Sequence, residues 1–463
     1  MIVYWYFLFV LLSITGVVMS PNVFDRPFCV LELVLLLLFG GAFMRHKIKR
    51  NGLICFDTFF MPSYMLMNYA HSVFIYPDDQ FLPAFLFATR SEMIPYAISL
   101  AQLGIALYML ASIMFERKEP VQRNVKVDIP PMLVNRSAFL SVFASLGVFA
   151  FVFLTNKVQE FTHIYPRLMA LIMSLIALSW FYQAQHLEEG ERGIIVLLKK
   201  NKMNMIATAL FASSLLYVGS RSDVIFLLFI VLMLVNGYYQ TVKFKVLLPM
   251  MVVGLVLMGF LMITRVSNYS LLDVSLVDSV SYGFKTITES PNILWMLLTD
   301  FVVNAKTLYE SVDYVNVNGY LYGITYIPYL FIFLPMGGSF FTTFLTGLPI
   351  DEINSGVILS YFSGSTYGLG TNLIGDLYVN LSIVGVCVVM FLLGILITRL
   401  EFPHTKYQFY LYLSFFANCA FIVRSDMFCW LNLFVFFVIF DWLLRIHVNV
   451  DEPEDALNEQ TTS

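Results

Sequence analysis

The chain has 463 residues, of which 59% are hydrophobic and only 13% charged, and its formal net charge is −4. Its mean hydropathy is +0.78. These values exclude a soluble globular domain, because such a domain needs a far more polar surface. The composition therefore predicts an all-α polytopic membrane protein.

Apolar runs of the length that crosses a hydrocarbon core, roughly 17 to 25 residues, recur along the chain. They predict twelve transmembrane helices, nine in residues 1–264 and three in residues 377–446. Residues 265–376 form one long loop between the two groups, and residues 447–463 form a polar tail, which we expect to be disordered. The predicted spans are residues 2–19, 28–44, 52–75, 95–115, 138–155, 166–183, 204–219, 223–238, 246–263, 377–398, 407–423 and 427–444.

The distribution of lysine and arginine predicts the orientation, because short cytoplasmic loops carry the excess of positive charge. Placing the basic run from Arg45 to Arg50 inside puts 18 of the 27 basic residues on the cytoplasmic side. Both termini and the tail are then cytoplasmic, and the long loop is external. Residues 1–19 lack a basic amino-terminal region and a small-residue cleavage pattern, so we expect the first span to be retained.

The external loop is rich in tyrosine, asparagine and carboxylates. Flat rings that stack on sugar faces, beside groups that bond hydroxyls, are typical of a carbohydrate groove. We expect Tyr320, Tyr326 and Tyr367 to bind substrate; an aromatic belt at the membrane interface is the alternative. Within the loop, the apolar residues 326–336 contain two prolines, and we interpret them as re-entrant or lying on the bilayer surface.

Three arginines, Arg221, Arg265 and Arg424, lie at span ends on the side that the positive-inside bias disfavours. A guanidinium group binds phosphate oxygens in a bidentate way that lysine cannot match. We expect the three to bind an anionic, lipid-linked headgroup. The alternative is local: the serine and aspartate that follow Arg221 and Arg424 cap the next helices, and the arginines reach lipid phosphates.

Two ionisable residues fall within the third predicted span. His71 is interpreted as a buried, hydrogen-bonded histidine, with a proton-shuttling role as the alternative. Asp57 is an ionisable group within a predicted span, and ionisable groups in such positions often have a function. The sequence shows no partner for it, and we interpret it as a structural hydrogen-bonding group.

The Gly219-Ser220-Arg221-Ser222 hairpin, the long external loop and the stretch from Gly370 to Asn380 together resemble the Wzy-type O-antigen or oligosaccharide repeat-unit polymerases. The resemblance covers most of the chain from about residue 200 onward, and its motifs are degenerate. It implies a GT-C-like fold and a bacterial inner-membrane glycosyltransferase that joins undecaprenyl-diphosphate-linked repeat units at the periplasmic face. Asp376 takes the family's carboxylate position. Tyr329 stands where related loops often carry an arginine.

The mechanism expected from these residues is glycosyl transfer with a base for the acceptor hydroxyl and cations for the leaving group. Asp376 is the first candidate for the base and Asp223 the second, with salt bridging to the arginines as the alternative for both. Arg221, Arg265 and Arg424 would neutralise the departing diphosphate, so neither a metal nor a cofactor is expected. The expected partners are the lipid-linked oligosaccharide and membrane lipid, without nucleic acid, and the sequence leaves open whether a chain-length regulator binds.

Two other classes compete with this interpretation. A flippase or other transporter tends to show repeated halves, broken helices and ionisable residues near mid-membrane. The chain shows no clear half-to-half repeat and one dominant external loop, which favours an enzyme acting at the outer face. An O-antigen ligase shares nearly every feature and is the nearest alternative enzyme.

Overall fold

The structure is a computed structural model that describes residues 2–77, 90–117, 125–155, 165–188, 191–218, 220–266, 285, 294–295, 298–331, 337–349, 352–365 and 368–449. The regular structure in these residues is helical, and they contain no β-strand. The helices are α1 Ile2–Val18, α2 Arg26–Asn51, α3 Phe56–Ala70, α4 Ile94–Met114, α5 Pro131–Thr155, α6 Tyr165–Gln185, α7 Ile194–Lys200, α8 Lys202–Val218 and α9 Arg221–Leu234. They continue with α10 Phe244–Val266, α11 Thr299–Val302, α12 Asn304–Asn318, α13 Ile327–Leu330, α14 Gly337–Thr346, α15 Ser355–Phe362, α16 Leu373–Leu400, α17 Lys406–Asn418 and α18 Leu431–Asn449.

Six stretches of helix among the described residues are long and apolar enough to cross a membrane. Each of the other six predicted spans also coincides with a helix, of 13 to 23 residues. Over its described residues, the chain is therefore an all-helical protein embedded in a membrane. The six stretches are Arg26–Asn51, Ser91–Met114, Pro131–Val152, Leu168–Gln185, Ser222–Tyr239 and Leu373–Leu400.

The chain forms two compact units. The first consists of Met1–Gln122, Lys243–Phe402 and Asn418–Trp430, and the second of Arg123–Val242, Pro403–Ala417 and Leu431–Ser463. Each unit is assembled from segments that are far apart in sequence, so the units do not correspond to consecutive parts of the chain. The predicted external loop belongs to the first unit.

Helix α4 is the central helix of the first unit. It is buried along nearly its whole length and packs against α1 and α16. The contact with α16 is close at Gly394, where a Cβ atom would lie 2.4 Å from the carbonyl oxygen of Tyr108. Small residues allow this approach of two backbones within a membrane, where dispersion contacts replace the hydrophobic effect between helices.

In the second unit, α5 packs against α6 and α8, and α18 packs against α6. The buried Asp441 of α18 joins these elements, because its carboxylate accepts hydrogen bonds from Tyr182 at 2.7 Å and from Tyr410 at 3.1 Å. Lys406 and Arg445 form ion pairs with the same carboxylate. A buried charge satisfied by two cations and two hydroxyls fixes α6, α17 and α18 together.

Helix α16 is broken at Ser382, whose φ of +63° and ψ of −172° are not helical. In an unbroken helix the Val379 carbonyl would accept a hydrogen bond from the amide four residues later. Here the Leu321 amide donates to it at 2.8 Å, and the Thr325 hydroxyl donates to Asn380 Oδ1 at 2.9 Å. The chain that follows α12 thus supplies a partner for the Val379 carbonyl, which the break leaves without its helical partner. Non-helical backbone at membrane depth needs such partners, because hydrocarbon offers none.

A buried ionic cluster lies at the other end of α16. Lys47 is fully buried, and its Nζ lies 3.1 Å from Glu401 and 3.6 Å from Asp57. The Tyr108 hydroxyl donates to the second carboxylate oxygen of Asp57 at 2.5 Å. Asp57 therefore has two partners, from α2 and α4, in keeping with its interpretation as a structural group.

We expect Lys47→Ala to lower the free energy of unfolding by about 3–5 kcal/mol, because the two carboxylates would remain buried without their cation. The measurement is denaturant unfolding of the purified protein in detergent micelles. Lys49→Ala, at an exposed position of the same helix, is the control and should change the stability by less than about 0.5 kcal/mol. Equal effects of the two substitutions would contradict the assignment.

Candidate functional site

The beginning of α16 is fixed by Asn372. Its side-chain oxygen accepts hydrogen bonds from the amides of Ile374 and Gly375, at 3.0 and 3.2 Å, and so caps the helix. Its side-chain amide donates to Asn68 on α3 and to Asn304 on α12, at 2.9 and 2.7 Å. One fully buried asparagine therefore caps α16 and joins it to two other helices.

Asp376 follows one turn later and is also fully buried. Its Oδ1 accepts from the Ser355 hydroxyl at 2.7 Å and from the Asn380 amide at 3.2 Å. Its Oδ2 accepts from the Tyr326 hydroxyl at 2.9 Å and from the Met427 amide at 3.3 Å. Four donors thus occupy the acceptor positions of one carboxylate and replace the hydrogen bonds that it would otherwise make to water.

A second carboxylate, Asp426, lies beside Asp376. Its Oδ2 accepts from the Tyr329 hydroxyl at 2.6 Å, and its Oδ1 accepts from the Phe428 amide at 3.0 Å. Burial raises the pKa of the Asp426 carboxyl above its ordinary value. The ring of Phe428 packs against the rings of Tyr326 and Tyr329, at centroid distances of 5.2 and 5.4 Å. We call Asp376, Asp426, Tyr326 and Tyr329 the carboxylate cluster.

Arg424 ends the 3-10 turn that precedes Asp426 and is half-buried. Its Nε lies 3.9 Å from the position that a Cβ on Gly370 would occupy. Gly370 has a φ of +75°, which glycine adopts without strain. The turn into α16 therefore passes directly beside the guanidinium group, which brings a cation into the neighbourhood of the carboxylate cluster.

Tyr320 lies at the centre of a group of tyrosine rings. Its ring packs edge-to-face against Tyr322 and Tyr378, with centroids 6.4 and 6.0 Å apart, and Tyr378 packs against Tyr96 in the same way at 6.0 Å. Tyr322 is 86% exposed. Its φ is +52°, a left-handed conformation that is rare for a residue with a bulky side chain.

The other predicted site residues have different outcomes. Arg221 begins α9 and Arg265 lies near the end of α10, but their side chains are outside the described part of the structure, as is Tyr367. Asp223 belongs to the second unit, where the Ser220 hydroxyl donates to its carboxylate. His71 is buried, with Nδ1 3.3 Å from the Tyr309 hydroxyl.

Sequence reasoning missed the partnership of Asp376 with Asp426 and Ser355, and it missed the role of Asn372. Asp426 was considered only as a possible helix cap. Asp376 and Met427 are 51 positions apart in the chain, and no spacing rule connects residues at that distance. Asn372 carried a usable signal, because asparagine just before an apolar run is a helix-start pattern.

Comparison of the chain with protein-family models, with curated proteins and with solved structures finds no match in any of the three. The functional argument therefore depends on the site itself.

We expect Asn372→Ala to lower the free energy of unfolding by about 3 kcal/mol or more, because it removes a cap and leaves buried amide groups without a partner. Asn354 is the matched control: it caps α15 through one bond from the Gly356 amide at 2.8 Å. Asn354→Ala should cost only about 1 kcal/mol. Thermal and denaturant unfolding in detergent measure both, and similar losses would show that the links of Asn372 to α3 and α12 contribute nothing.

Proposed function

We propose that the protein is a polymerase of O-antigen or a related surface polysaccharide, acting on undecaprenyl-diphosphate-linked oligosaccharide repeat units. On this proposal it is a GT-C-like glycosyltransferase with about twelve spans in the bacterial inner membrane, and its site faces the periplasm. The observation that carries the proposal is a buried carboxylate cluster beside an arginine at one end of a membrane span. Such a site combines a base with a phosphate-binding cation at the depth of a lipid headgroup.

The predicted topology supports the external location of this site. Asp376 and Glu401 lie at opposite ends of α16. The part of α16 that follows the break, residues 383–400, alone spans about 27 Å at 1.5 Å per residue, close to the roughly 30 Å of a hydrocarbon core. The Glu401 end contacts Lys47, which belongs to the basic run that the positive-inside bias assigns to the cytoplasm. Asp376 and Arg424 are then on the external side.

In the proposed reaction the bond between the growing glycan and the diphosphate oxygen breaks, and the electron pair leaves with the diphosphate. The anomeric carbon forms a new bond to a hydroxyl of the incoming repeat unit, whose proton passes to a carboxylate. Arg424 stabilises the negative charge that develops on the leaving group. Arg221, Arg265 and Asp223 stay predictions from the sequence.

The hydrogen bonds of Asp376 suggest how it receives the proton. Tyr326 is half-buried and supplies one of the four donors to the carboxylate. A sugar hydroxyl that replaces the Tyr326 hydroxyl would point its own proton at Oδ2 without leaving the carboxylate short of a donor. The carboxylate keeps four donors in this exchange, and the free energy needed to displace the Tyr326 hydroxyl comes from the other contacts of the acceptor. Asp376 then acts as the base only when an acceptor is bound.

The break in α16 favours one alternative, a flippase for the same lipid-linked oligosaccharide, because discontinuous spans are typical of transporters. An O-antigen ligase shares the leaving-group chemistry. The polymerase, the flippase and the ligase predict different surface polysaccharide profiles in a host strain that lacks the gene, since a polymerase adds repeats after flipping and before ligation.

We expect deletion of the gene to reduce the polysaccharide ladder on a gel to core plus a single repeat unit. Loss of all repeats would instead support the flippase or ligase, and an unchanged ladder would refute all three functions.

Complementation of the deletion strain tests the arginine. Arg424→Ala should not restore the ladder, and Arg424→Lys should restore less than a tenth of the polymer, because lysine cannot bind phosphate in a bidentate way. Arg90→Ala is the control, since Arg90 is more than half exposed and forms its ion pair with Asp313, at 3.1 Å, rather than with the carboxylate cluster. Immunoblotting checks that the variants reach equal levels. Full polymer with Arg424→Ala would exclude Arg424 from leaving-group binding.

A further inference from the structure

Helix α14 presents an apolar surface that nothing in the described structure covers. Phe340 and Phe344 are 67% and 76% exposed, and Leu345 is 55% exposed. The rings of Phe340 and Phe344 are one helical turn apart and nearly parallel, with centroids 6.4 Å apart and planes inclined by 12°. With Phe341, which is 39% exposed, they form what we call the phenylalanine face.

The surrounding sequence indicates an apolar occupant. Residues 314–350 contain no aspartate, glutamate, lysine, arginine or histidine. Leaving a phenylalanine or leucine side chain in water instead of burying it costs roughly 1.5–3 kcal/mol. An apolar face of this kind takes an apolar occupant, and residues 314–350 offer a charged partner no complement.

The phenylalanine face is connected to the carboxylate cluster through short contacts. Phe341 stacks on Phe331, with centroids 5.0 Å apart and planes inclined by 17°. Phe331 directly follows α13, and α13 carries Tyr329, which donates to Asp426. The surface therefore runs from an exposed apolar helix to a site that holds carboxylates and an arginine.

We propose that the phenylalanine face binds the isoprenoid chain of the lipid-linked substrate. Substrate and protein are complementary along their length: the substrate has an apolar chain followed by a diphosphate, and the protein has an uncharged aromatic face followed by Arg424. This inference rests on the proposed function, and it identifies where the lipid part of the substrate lies. Bulk membrane lipid is the competing occupant, and the experiment separates the two.

The chain offers a matched control for ordinary contact with lipid. Phe139 and Phe143 on α5 are also one turn apart, with centroids 6.4 Å apart and planes inclined by 15°. They are 63% and 67% exposed and lie in the candidate span Pro131–Val152. The two pairs are alike in spacing, ring geometry and exposure, so a difference in labelling or in the effect of substitution reflects the occupant.

The experiment uses the purified full-length protein in lipid nanodiscs and two photoreactive probes. One is undecaprenyl phosphate with a diazirine on its isoprenoid chain, and the other is a phospholipid with a diazirine on an acyl chain. Mass spectrometry maps the crosslinks. We expect the isoprenoid probe to label residues 337–349 at least fivefold more than residues 131–152, with excess unlabelled undecaprenyl phosphate abolishing that label, and the phospholipid probe to label both alike. The proposal would be overturned if the isoprenoid probe labelled the two segments equally. It would also be overturned if excess phospholipid displaced the isoprenoid label as well as undecaprenyl phosphate does.

The double variant Phe340→Ala/Phe344→Ala provides the second measurement. It should weaken the apparent affinity for the isoprenoid probe about tenfold, and Phe139→Ala/Phe143→Ala should leave it unchanged. The same loss in both variants would also overturn the proposal. Because binding needs no turnover, the outcome is independent of the polysaccharide ladder: a normal ladder response without specific labelling would reject this inference alone. Specific labelling with an unchanged ladder would reject the polymerase and retain the binding surface.

Discussion

Every polar group buried at membrane depth must find its partner within the protein, because hydrocarbon offers none. Helix α16 illustrates the consequence at both of its ends. At its start, Asn372 and Asp376 contact side chains from four other segments of the chain. At its end, Glu401 contacts Lys47, and Thr398 lies 2.7 Å from Ser112. These contacts select the neighbours of α16, since dispersion contacts between apolar helices are much less specific.

The break at Ser382 links this constraint to the predicted external loop. The carbonyl of Val379 is satisfied by Leu321, and that contact holds the tyrosine-rich turn against α16. The next residue, Tyr322, is left-handed and almost fully exposed. A left-handed conformation costs a non-glycine residue about 1–2 kcal/mol, and an exposed ring gains little from packing. Strain of this kind is often found at binding sites, and on the proposed function the exposed ring, beside Tyr320, stacks on a sugar.

The positions of helices could be predicted well, because apolar length alone indicates them: each predicted span overlaps a helix, and six helical stretches among the described residues are long and apolar enough to cross a membrane. The apolar pattern could not predict which residues far apart in the sequence contact each other. Asp57 looked isolated, yet its partners Lys47 and Tyr108 come from neighbouring helices. Asp376 was identified through a resemblance, but its four donors come from α15, α16, the turn before α13 and the residue after Asp426. Periodicity describes one helix at a time, and these contacts depend on how helices meet.

On the proposed function, the closed geometry of Asp376 also bears on a side reaction, the hydrolysis of the activated glycan. A glycan activated by a diphosphate can be lost to water whenever a base activates a water molecule next to it. Asp376 is inaccessible to solvent, and its oxygens are already bonded to four donors. On the proposed function, water gains nothing by displacing Tyr326, because it brings no binding energy of its own. An acceptor sugar does bring such energy, through contacts remote from the reacting hydroxyl, and can use it to open the site. The hydrogen bonds that hold Asp376 would then favour transfer to a sugar over hydrolysis.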